Sequence, residues 1–239
     1  MVNILAIDTA AGCVSVALRA GDRVYHFEER AAEGGIGQPS SPRHSEALLE
    51  YAGFLTEKAG IRPSDIEAVL VMKGPGSFTG LRIAYAAAKG IALALGCRMS
   101  AFPSLDVMAF PFSRRPGPVM PVIYAGKSRF FTALYQDGRR LAGPMDTHVE
   151  AEDFQAALKP FTGKNQRIFL TGPGAAALKD ALKPLAGDEG LILDPSGPGA
   201  YAPILLEVEK KRGLPDNDTE FYSGPEYLRK SDAELNVKK

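Results

Sequence analysis

A glycine-rich segment after a buried apolar run holds the first residues that could do chemistry. Residues 74–80 read Gly-Pro-Gly-Ser-Phe-Thr-Gly and join the apolar run 67–72 to a helical pattern. Gly74 and Gly76 would let backbone N–H groups near Ser77 converge on one point, where a helix dipole adds positive potential. A phosphate or another anion could bind there. The same residues could equally form a tight turn whose glycines serve chain reversal and close packing.

The spacing of this loop matches none of the common phosphate or nucleophile motifs. A Walker loop needs Gly-Lys followed by Ser or Thr, whereas Gly80 is followed by Leu81. A dinucleotide fingerprint has its third glycine at the sixth position, and Gly80 is the seventh. A nucleophile elbow needs glycine two residues to either side of its serine, and those neighbours of Ser77 are Pro75 and Thr79.

A carboxylate at the end of the first apolar run is the second candidate group. The chain opens with Asn3-Ile4-Leu5-Ala6-Ile7-Asp8-Thr9, which is typical of a buried strand ending at Asp8. Asp8 could hold a hydrated Mg²⁺ beside a phosphate, with Thr9 adding a hydroxyl, or it could cap a turn. The three histidines and two cysteines are scattered along the chain, so neither a metal site nor a catalytic residue is predicted.

Composition favours a well-packed globular protein. Of the 239 residues, 45% are apolar and 23% charged, and 28 basic side chains balance 28 acidic ones. No basic excess points to a nucleic acid as the direct ligand, although a local basic patch is compatible with this balance. The N-terminal run has no basic leader, and the apolar stretches are interrupted, so a cytoplasmic protein is expected.

Strand and helix patterns alternate, which predicts an α/β class with mixed sheets. A three-stranded antiparallel meander precedes a loop at 30–42 that is rich in Gly, Pro and Ser. One helix is predicted over 42–59, begun by Ser41-Pro42, and another over 79–95. The second helix has two apolar stripes, so we expect it to pack on its own sheet and on a second helix of this or another chain.

The second half of the chain repeats the opening pattern. Residues 6–18 align with 122–134 at a constant offset of 116 residues. At this offset Tyr124 is the counterpart of Asp8. The second half therefore lacks the carboxylate that a nucleotide site built from acidic residues of both halves would need. The repeat predicts two lobes built on the same meander. Their expected ranges are 1–103, with the glycine-rich loop, and 104–239.

Several of these segments together resemble the TsaB family, also called YeaZ, over nearly the whole chain. The resemblance rests on Asn3–Thr9, Arg43-His44-Ser45-Glu46, the run 74–82 with Ala88-Lys89-Gly90, and the closing Pro225-Glu226-Tyr227-Leu228-Arg229. It implies the two-lobed actin/sugar-kinase/Hsp70-like fold, which is ribonuclease H-like, with mixed sheets flanked by helices.

The resemblance also implies a non-catalytic scaffold subunit without activity of its own. It would support a TsaD-like enzyme, joined by a TsaE-like ATPase, in placing a threonylcarbamoyl group on adenosine 37 of tRNA (t6A). We expect tRNA to be reached only through that complex, with no membrane contact. No resident cofactor is expected, and ATP or ADP at the complex interface is left open. The two helices would form a bundle with those of the TsaD-like subunit, or of a second copy in a homodimer.

The expected partner surface lies on these two helices. Its residues are Leu48, Tyr51 and Leu55 on the first helix and Ile83, Ala84, Ala87, Ala88 and Ile91 on the second. An Ala88→Glu variant is expected to keep the fold and to prevent partner binding.

The sequence departs from the family's pattern in three places. The second lobe has Tyr124-Ala125-Gly126 where the family usually has Asp-Ala-Arg, the loop at 30–42 is long, and Ala84 replaces a common glycine. The catalytic TsaD-like paralogues carry an H-x-x-x-H metal pair after the shared helix, whereas 104–110 contains no histidine, which separates this chain from them. The alternative function is a stand-alone ATP-dependent phosphotransferase or ATPase that uses Asp8, Thr9 and the loop at 74–80.

Overall fold

The structure, a computed structural model, describes most of the chain in two compact units. The described residues are 2–11, 13–30, 43–161, 167–186, 190–194, 199–214 and 224–228. The first unit runs to Val107 and includes the returning segment Ala200–Glu226, and the second is built on Met108–Gly199. The predicted loop from residue 31 onward, the Ser41-Pro42 helix start and Arg229 lie outside the described residues.

Strands and helices follow one another twice in the same order. The first series is β1 (Ile4–Asp8), β2 (Cys13–Ala20), β3 (Arg23–Arg30), α1 (Arg43–Ala59), β4 (Ala68–Gly74), α2 (Phe78–Leu95), β5 (Arg98–Pro103) and α3 (Ser104–Ala109). The second series is β6 (Val119–Gly126), β7 (Arg129–Gln136), β8 (Arg139–Thr147), α4 (Glu152–Leu158), β9 (Ile168–Thr171), α5 (Ala175–Ala186), β10 (Leu191–Leu193) and α6 (Ala202–Arg212).

Each unit contains a five-stranded mixed sheet of the same topology. The orders are β3-β2-β1-β4-β5 and β8-β7-β6-β9-β10, with an antiparallel meander and two later strands parallel to its first strand. The first residues of β2 and β7 are 116 positions apart in the sequence, and so are their last residues, so the predicted repeat is confirmed. The pairing differs by one residue, because Ile7 lies opposite Val16 whereas Ile123 lies opposite Phe131.

Helices cover both faces of the first sheet, which explains its uninterrupted apolar centre. Every residue of β1 is buried, as are the first five of β4. Leu5, Ile7 and the other side chains of one face pack against α1 and α2. On the other face α6 packs over β1, β2 and β4. A strand covered on one face needs only alternate apolar residues, whereas one covered on both faces needs a continuous apolar run.

The structure corrects four of the residues that we expected at a partner surface. Leu48, Leu55, Ala84 and Ala88 are at most 1% exposed, because they are the side chains through which α1 and α2 pack on the sheet. They are therefore core residues. Because Ala88→Glu would place a carboxylate in the core, we now expect this variant to lose stability instead of keeping its fold.

The last described helix, α6, belongs to the first unit. The Ala202 N–H donates to the Ser15 hydroxyl at 3.3 Å, and the Arg19 guanidinium pairs with the Glu209 carboxylate at 2.6 Å. The sequence predicted that the second lobe would include all residues from 104 to 239. Helix α6 lies within that range but packs on the sheet of the first unit. A helical pattern marks the helix but carries no information about which sheet the helix covers.

Candidate partner-binding face and glycine-rich loop

The glycine-rich loop leaves β4 and starts α2. The Ser77 hydroxyl oxygen accepts a hydrogen bond from the Gly80 N–H at 3.2 Å, which caps the helix N-terminus. Gly96 adopts a left-handed conformation with φ 63° and ends the helix. The predicted helix 79–95 is therefore confirmed to within one residue.

All three glycines of the loop lie against other parts of the backbone. A β-carbon on Gly80 would collide with the carbonyl oxygen of Thr9, and one on Gly76 would lie 2.9 Å from the β-carbon of Ala10. Gly74 has φ 121°, and a β-carbon on this residue would collide with the carbonyl oxygen of Glu226. These glycines permit close approach of the chain to itself.

Several N–H groups of the loop and of the first turn of α2 are already used inside the protein. The Ser77 N–H donates to the Ala10 carbonyl at 3.0 Å, and the Gly74 N–H donates to the Ser104 hydroxyl at 3.1 Å. The Leu81 N–H donates to the Ser77 carbonyl at 2.8 Å. Of the two alternatives left open by the sequence, this geometry favours the close-packed turn over the anion cradle.

Asp8 is enclosed at the end of β1. Its side chain is 0% exposed, and one carboxylate oxygen accepts the Ala10 N–H at 2.8 Å, so it caps the turn that follows. Asp8 lies opposite Ser15, whose hydroxyl meets the start of α6, so that helix covers this face. The second oxygen has no hydrogen-bond partner among the described residues. Burial raises the pKa of Asp8 to about 7.

Thr9 faces the loop rather than an open site. Its hydroxyl donates to the Gly80 carbonyl oxygen at 2.5 Å, which fixes the end of β1 to the first turn of α2. The structure thus brings the end of β1, with Asp8 and Thr9, against Gly76, Ser77 and Gly80, whereas Gly74 contacts Glu226 and Ser104. Tyr124, the counterpart of Asp8, lies edge-to-face with Phe130 at a ring distance of 5.6 Å.

One side of α2 is apolar and faces away from its sheet. The helix has a mean hydropathy of 1.3 and is, among the described residues, the one helix long and apolar enough to cross a membrane; only 33% of it is buried. Ala84, Tyr85 and Ala92 pack on the sheet. On the other side Ile83, Ala87 and Ile91 are half-buried, and Ala86, Gly90, Leu93 and Ala94 are exposed.

This side of α2 forms a shallow cavity with the start of α1. The cavity has a volume of about 470 Å³ and is lined by Leu49, Phe78, Thr79, Arg82, Ile83, Ala86 and Ala87. Leu49 is 57% exposed. The guanidinium of Arg82 lies over the Phe78 ring at 3.9 Å, so a cation stands at the edge of an apolar surface. We call these lining residues, together with Gly90, Leu93 and Ala94, the α1–α2 face.

The α1–α2 face contains part of the predicted partner surface. Ile83 and Ala87 line the cavity, whereas Tyr51 lies elsewhere, stacked on Phe27 at 3.9 Å with its hydroxyl on the Glu29 carboxylate. Sequence reasoning missed Leu49 and Ala86. Both are apolar residues outside the buried stripe of their helix. An apolar residue at such a position is the sequence signal that could have indicated them.

No metal centre accompanies this face in the described part of the chain. Histidine, cysteine, aspartate and glutamate side chains form no group of three or more there that could hold an ion. The helix α3, which follows β5, contains no histidine.

Comparison with known proteins identifies the family. Residues 26–182 match the family model described as TsaD: tRNA N6-adenosine threonylcarbamoyltransferase. The chain is 26% identical to the tRNA threonylcarbamoyladenosine biosynthesis protein TsaB of Bacillus subtilis (strain 168) over 234 residues, which cover 97% of this chain and 96% of that protein. The chain belongs to the TsaB/YeaZ group of the TsaD family. The resemblance stated from the sequence is thereby confirmed.

Solved structures confirm the fold. YeaZ from Pseudomonas aeruginosa superposes with a TM-score of 0.67 at 24% identity, covering 95% of this chain and all of that one. An inorganic polyphosphate/ATP-glucomannokinase from Arthrobacter superposes with a TM-score of 0.50 at 10% identity, covering 89% of this chain. At these identities the likeness is one of fold alone. The predicted two-lobed α/β fold of the actin and sugar-kinase type is confirmed.

Proposed function

We propose that this chain is a non-catalytic subunit that supports a TsaD-type enzyme in forming t6A at adenosine 37 of tRNA. The observation that carries the proposal is the α1–α2 face. Ala86 is exposed and Leu93 is 73% exposed on a helix of which only a third is buried. A run of exposed apolar residues on one side of a helix supports a site for another protein.

The shape of the face suits another helix pair. Ala86, Gly90 and Ala94 recur every fourth residue, so they form a ridge of small side chains along α2. Small side chains let the axis of a second helix approach closely, while Leu49 and Leu93 supply apolar area at the two ends. The occupant we propose is the matching helix pair of the TsaD-type subunit, and a second copy of this chain would use the same face when that subunit is absent.

The remaining roles follow from this arrangement. A TsaE-like ATPase would join the pair, tRNA would be bound by the assembled complex, and the site of action would be the cytoplasm. No resident cofactor is proposed for this chain, and ATP or ADP would bind only at the interface with its partner. The internal use of the Gly74, Ser77 and Gly80 N–H groups supports this assignment.

The alternative, a stand-alone phosphotransferase, receives less support from the geometry. It requires an accessible carboxylate for Mg²⁺ and free N–H groups for phosphate, but Asp8 is enclosed and the N–H groups of Gly74, Ser77 and Gly80 are bonded within the protein. Purified full-length chain should therefore hydrolyse Mg-ATP no faster than its Asp8→Ala variant. Turnover that is well above background and lost in Asp8→Ala would favour the enzyme instead.

The decisive experiment is co-purification of tagged full-length chain with its TsaD-type subunit. Ala86→Glu places a charge on the exposed side of α2 and should abolish co-purification and t6A formation in the reconstituted reaction, while thermal unfolding stays unchanged. The matched control is Leu141→Glu, an equally drastic change at a 52% exposed residue of β8. Retention of the partner by Ala86→Glu at the level of the control would contradict the proposal.

A further inference from the structure

Five arginines from three separate segments lie at one end of the second sheet. They are Arg114 and Arg115 before β6, Arg139 and Arg140 at the start of β8, and Arg167 before β9. Because β6 and β9 are parallel, their starts meet at the same end of the sheet, and the β7–β8 turn comes to that end as well. We call these five residues the arginine surface.

Short contacts confirm that the three segments are neighbours. A β-carbon on Gly138, in the β7–β8 turn, would lie 3.2 Å from the β-carbon of Ser113. A β-carbon on Gly117 would lie 3.6 Å from the carbonyl oxygen of Arg167. The segment 113–117 therefore runs between the β7–β8 turn on one side and Arg167 on the other.

The arginine surface is held on a rigid base. The guanidinium of Arg115 lies over the Phe169 ring at 4.2 Å, and Phe112 contacts the same ring at 4.8 Å. The adjoining turn is fixed by left-handed residues, with φ 50° at Asp137 and 72° at Gly138, as an Asp-Gly hairpin requires. These contacts fix Arg115 and the backbone of the adjoining turn, from which Arg139 and Arg140 extend.

The charge here is concentrated although the chain as a whole is neutral. Arg114, Arg139, Arg140 and Arg167 are exposed, and Arg115 is half-buried. Across the described residues 113–117, 137–140 and 167, the acidic side chain is Asp137. Within these described segments basic side chains therefore outnumber acidic ones, although the whole sequence is balanced. A local excess of positive charge attracts polyanions.

We propose that the arginine surface binds the sugar–phosphate backbone of the tRNA substrate within the complex. The cationic side chains are all arginine, whose planar guanidinium pairs with phosphate through two hydrogen bonds. Phosphate contacts position an RNA without reading its sequence, and one rigid surface that meets several nucleotides suits a folded RNA. The identity of the RNA rests on the proposed function, whereas the surface rests on the geometry of the second unit.

The test measures tRNA binding by the complex of full-length chain and TsaD-type subunit. The probe is a fluorescently labelled, unmodified transcript of a tRNA that reads A-starting codons. Arg114→Gln/Arg139→Gln should lower affinity about tenfold near physiological salt and reduce the slope of log K against log salt by about two, because two phosphate contacts are lost. The control, Arg23→Gln/Arg62→Gln, removes the same charge from exposed residues of the first unit.

Each outcome separates the surface from the function. Equal affinity for the double variant and the control, with the complex intact, would overturn the arginine surface and leave the proposed function standing. If wild type and both variants all failed to bind the TsaD-type subunit, the proposed function would be overturned. In that case tRNA binding would be measured on the isolated chain, and weaker binding by the double variant than by wild type would still support an RNA-binding surface. Displacement of tRNA by polyglutamate at equal charge concentration would overturn the RNA assignment in favour of an acidic protein.

Discussion

The carbonyl oxygen of Glu226 occupies the space beside Gly74 in which a β-carbon would have to lie. The Glu226 N–H donates to the Lys73 carbonyl oxygen at 2.7 Å, and the Lys73 ammonium lies 3.1 Å from the Glu226 carboxylate. A residue far along the chain therefore holds the beginning of the glycine-rich loop. Because that loop starts α2, this contact supports the helix that presents the α1–α2 face.

Replacing Gly74 should be costly. Gly74→Ala combines a φ of 121°, which alanine rarely adopts, with a collision against the Glu226 backbone. We expect a loss of about 2–4 kcal/mol in the free energy of unfolding, measured by urea denaturation. The control is Gly53→Ala in α1, where a β-carbon would meet nothing within 4 Å. Its stability should hold or rise by up to about 1 kcal/mol, and equal losses in both variants would refute this role for Gly74.

Asp8 should make stability depend on pH in an unusual direction. Burial raises its pKa in the folded state to about 7 from the ordinary value of 3.8, so the folded protein binds the proton more tightly than the unfolded chain. The stabilisation is complete below about pH 4 and is lost as pH rises to about 7, with a maximal slope of about 1.4 kcal/mol per pH unit. Asp8→Asn keeps an acceptor for the Ala10 N–H and should flatten this slope in denaturation curves collected between pH 4 and pH 8. An unchanged slope would show that another group titrates.

Two alanines on α2 should respond oppositely to the same substitution. Ala88 is 0% exposed between α2 and the sheet, so Ala88→Glu buries a carboxylate and should cost more than about 3 kcal/mol or prevent folding. Ala86 is exposed, and Ala86→Glu should leave the melting temperature within about 2 °C of wild type. Circular dichroism melting of the pair checks which side of α2 faces the core. Equal destabilisation would place Ala86 in the core as well.

The ion pair between Arg19 and Glu209 should contribute to the docking of α6. Both side chains are largely buried, at 16% and 11% exposure, and the pair measures 2.6 Å. Arg19→Met leaves the Glu209 carboxylate without its partner and should cost about 3 kcal/mol of unfolding free energy. The control is Arg62→Met, which breaks a pair with Asp65 whose arginine is 81% exposed. That variant should unfold at the wild-type midpoint, and matching losses would mean that α6 docking does not depend on the pair.

Local signals in the sequence predicted most elements and their ends. Ser77 at the start of α2 and Gly96 at its end have short-range preferences that hold in any fold. The helices predicted over 42–59 and 79–95 end in the structure at the predicted residues, Ala59 and Leu95. The β5 strand, Arg98–Pro103, was not predicted, because its mixture of polar and apolar residues does not alternate over enough positions to indicate a strand.

The directions in which helices face could not be predicted from the same signals. Both stripes of α2 are apolar, so periodicity alone could not decide whether the stripe with Ala84 or the stripe with Ala87 would lie against the sheet. That choice depends on where the strand before the helix ends and how the loop turns, which are tertiary constraints. The group of Asp8, Thr9 and the loop glycines was correctly predicted as neighbours. Its internal hydrogen bonds were not, because backbone pairing depends on how closely two segments approach.

Because α6 packs on the first sheet, the first unit can be completed during synthesis only after the strands of the second unit have been made. The second unit is drawn almost wholly from Met108–Gly199, so all its described strands are synthesised before α6. Until then the face of the first sheet that α6 covers, which includes Ala6 and Leu70, has no helix over it. The half of the protein made first is therefore finished last. A nascent chain that stops before residue 200 would expose an apolar sheet for a chaperone to recognise.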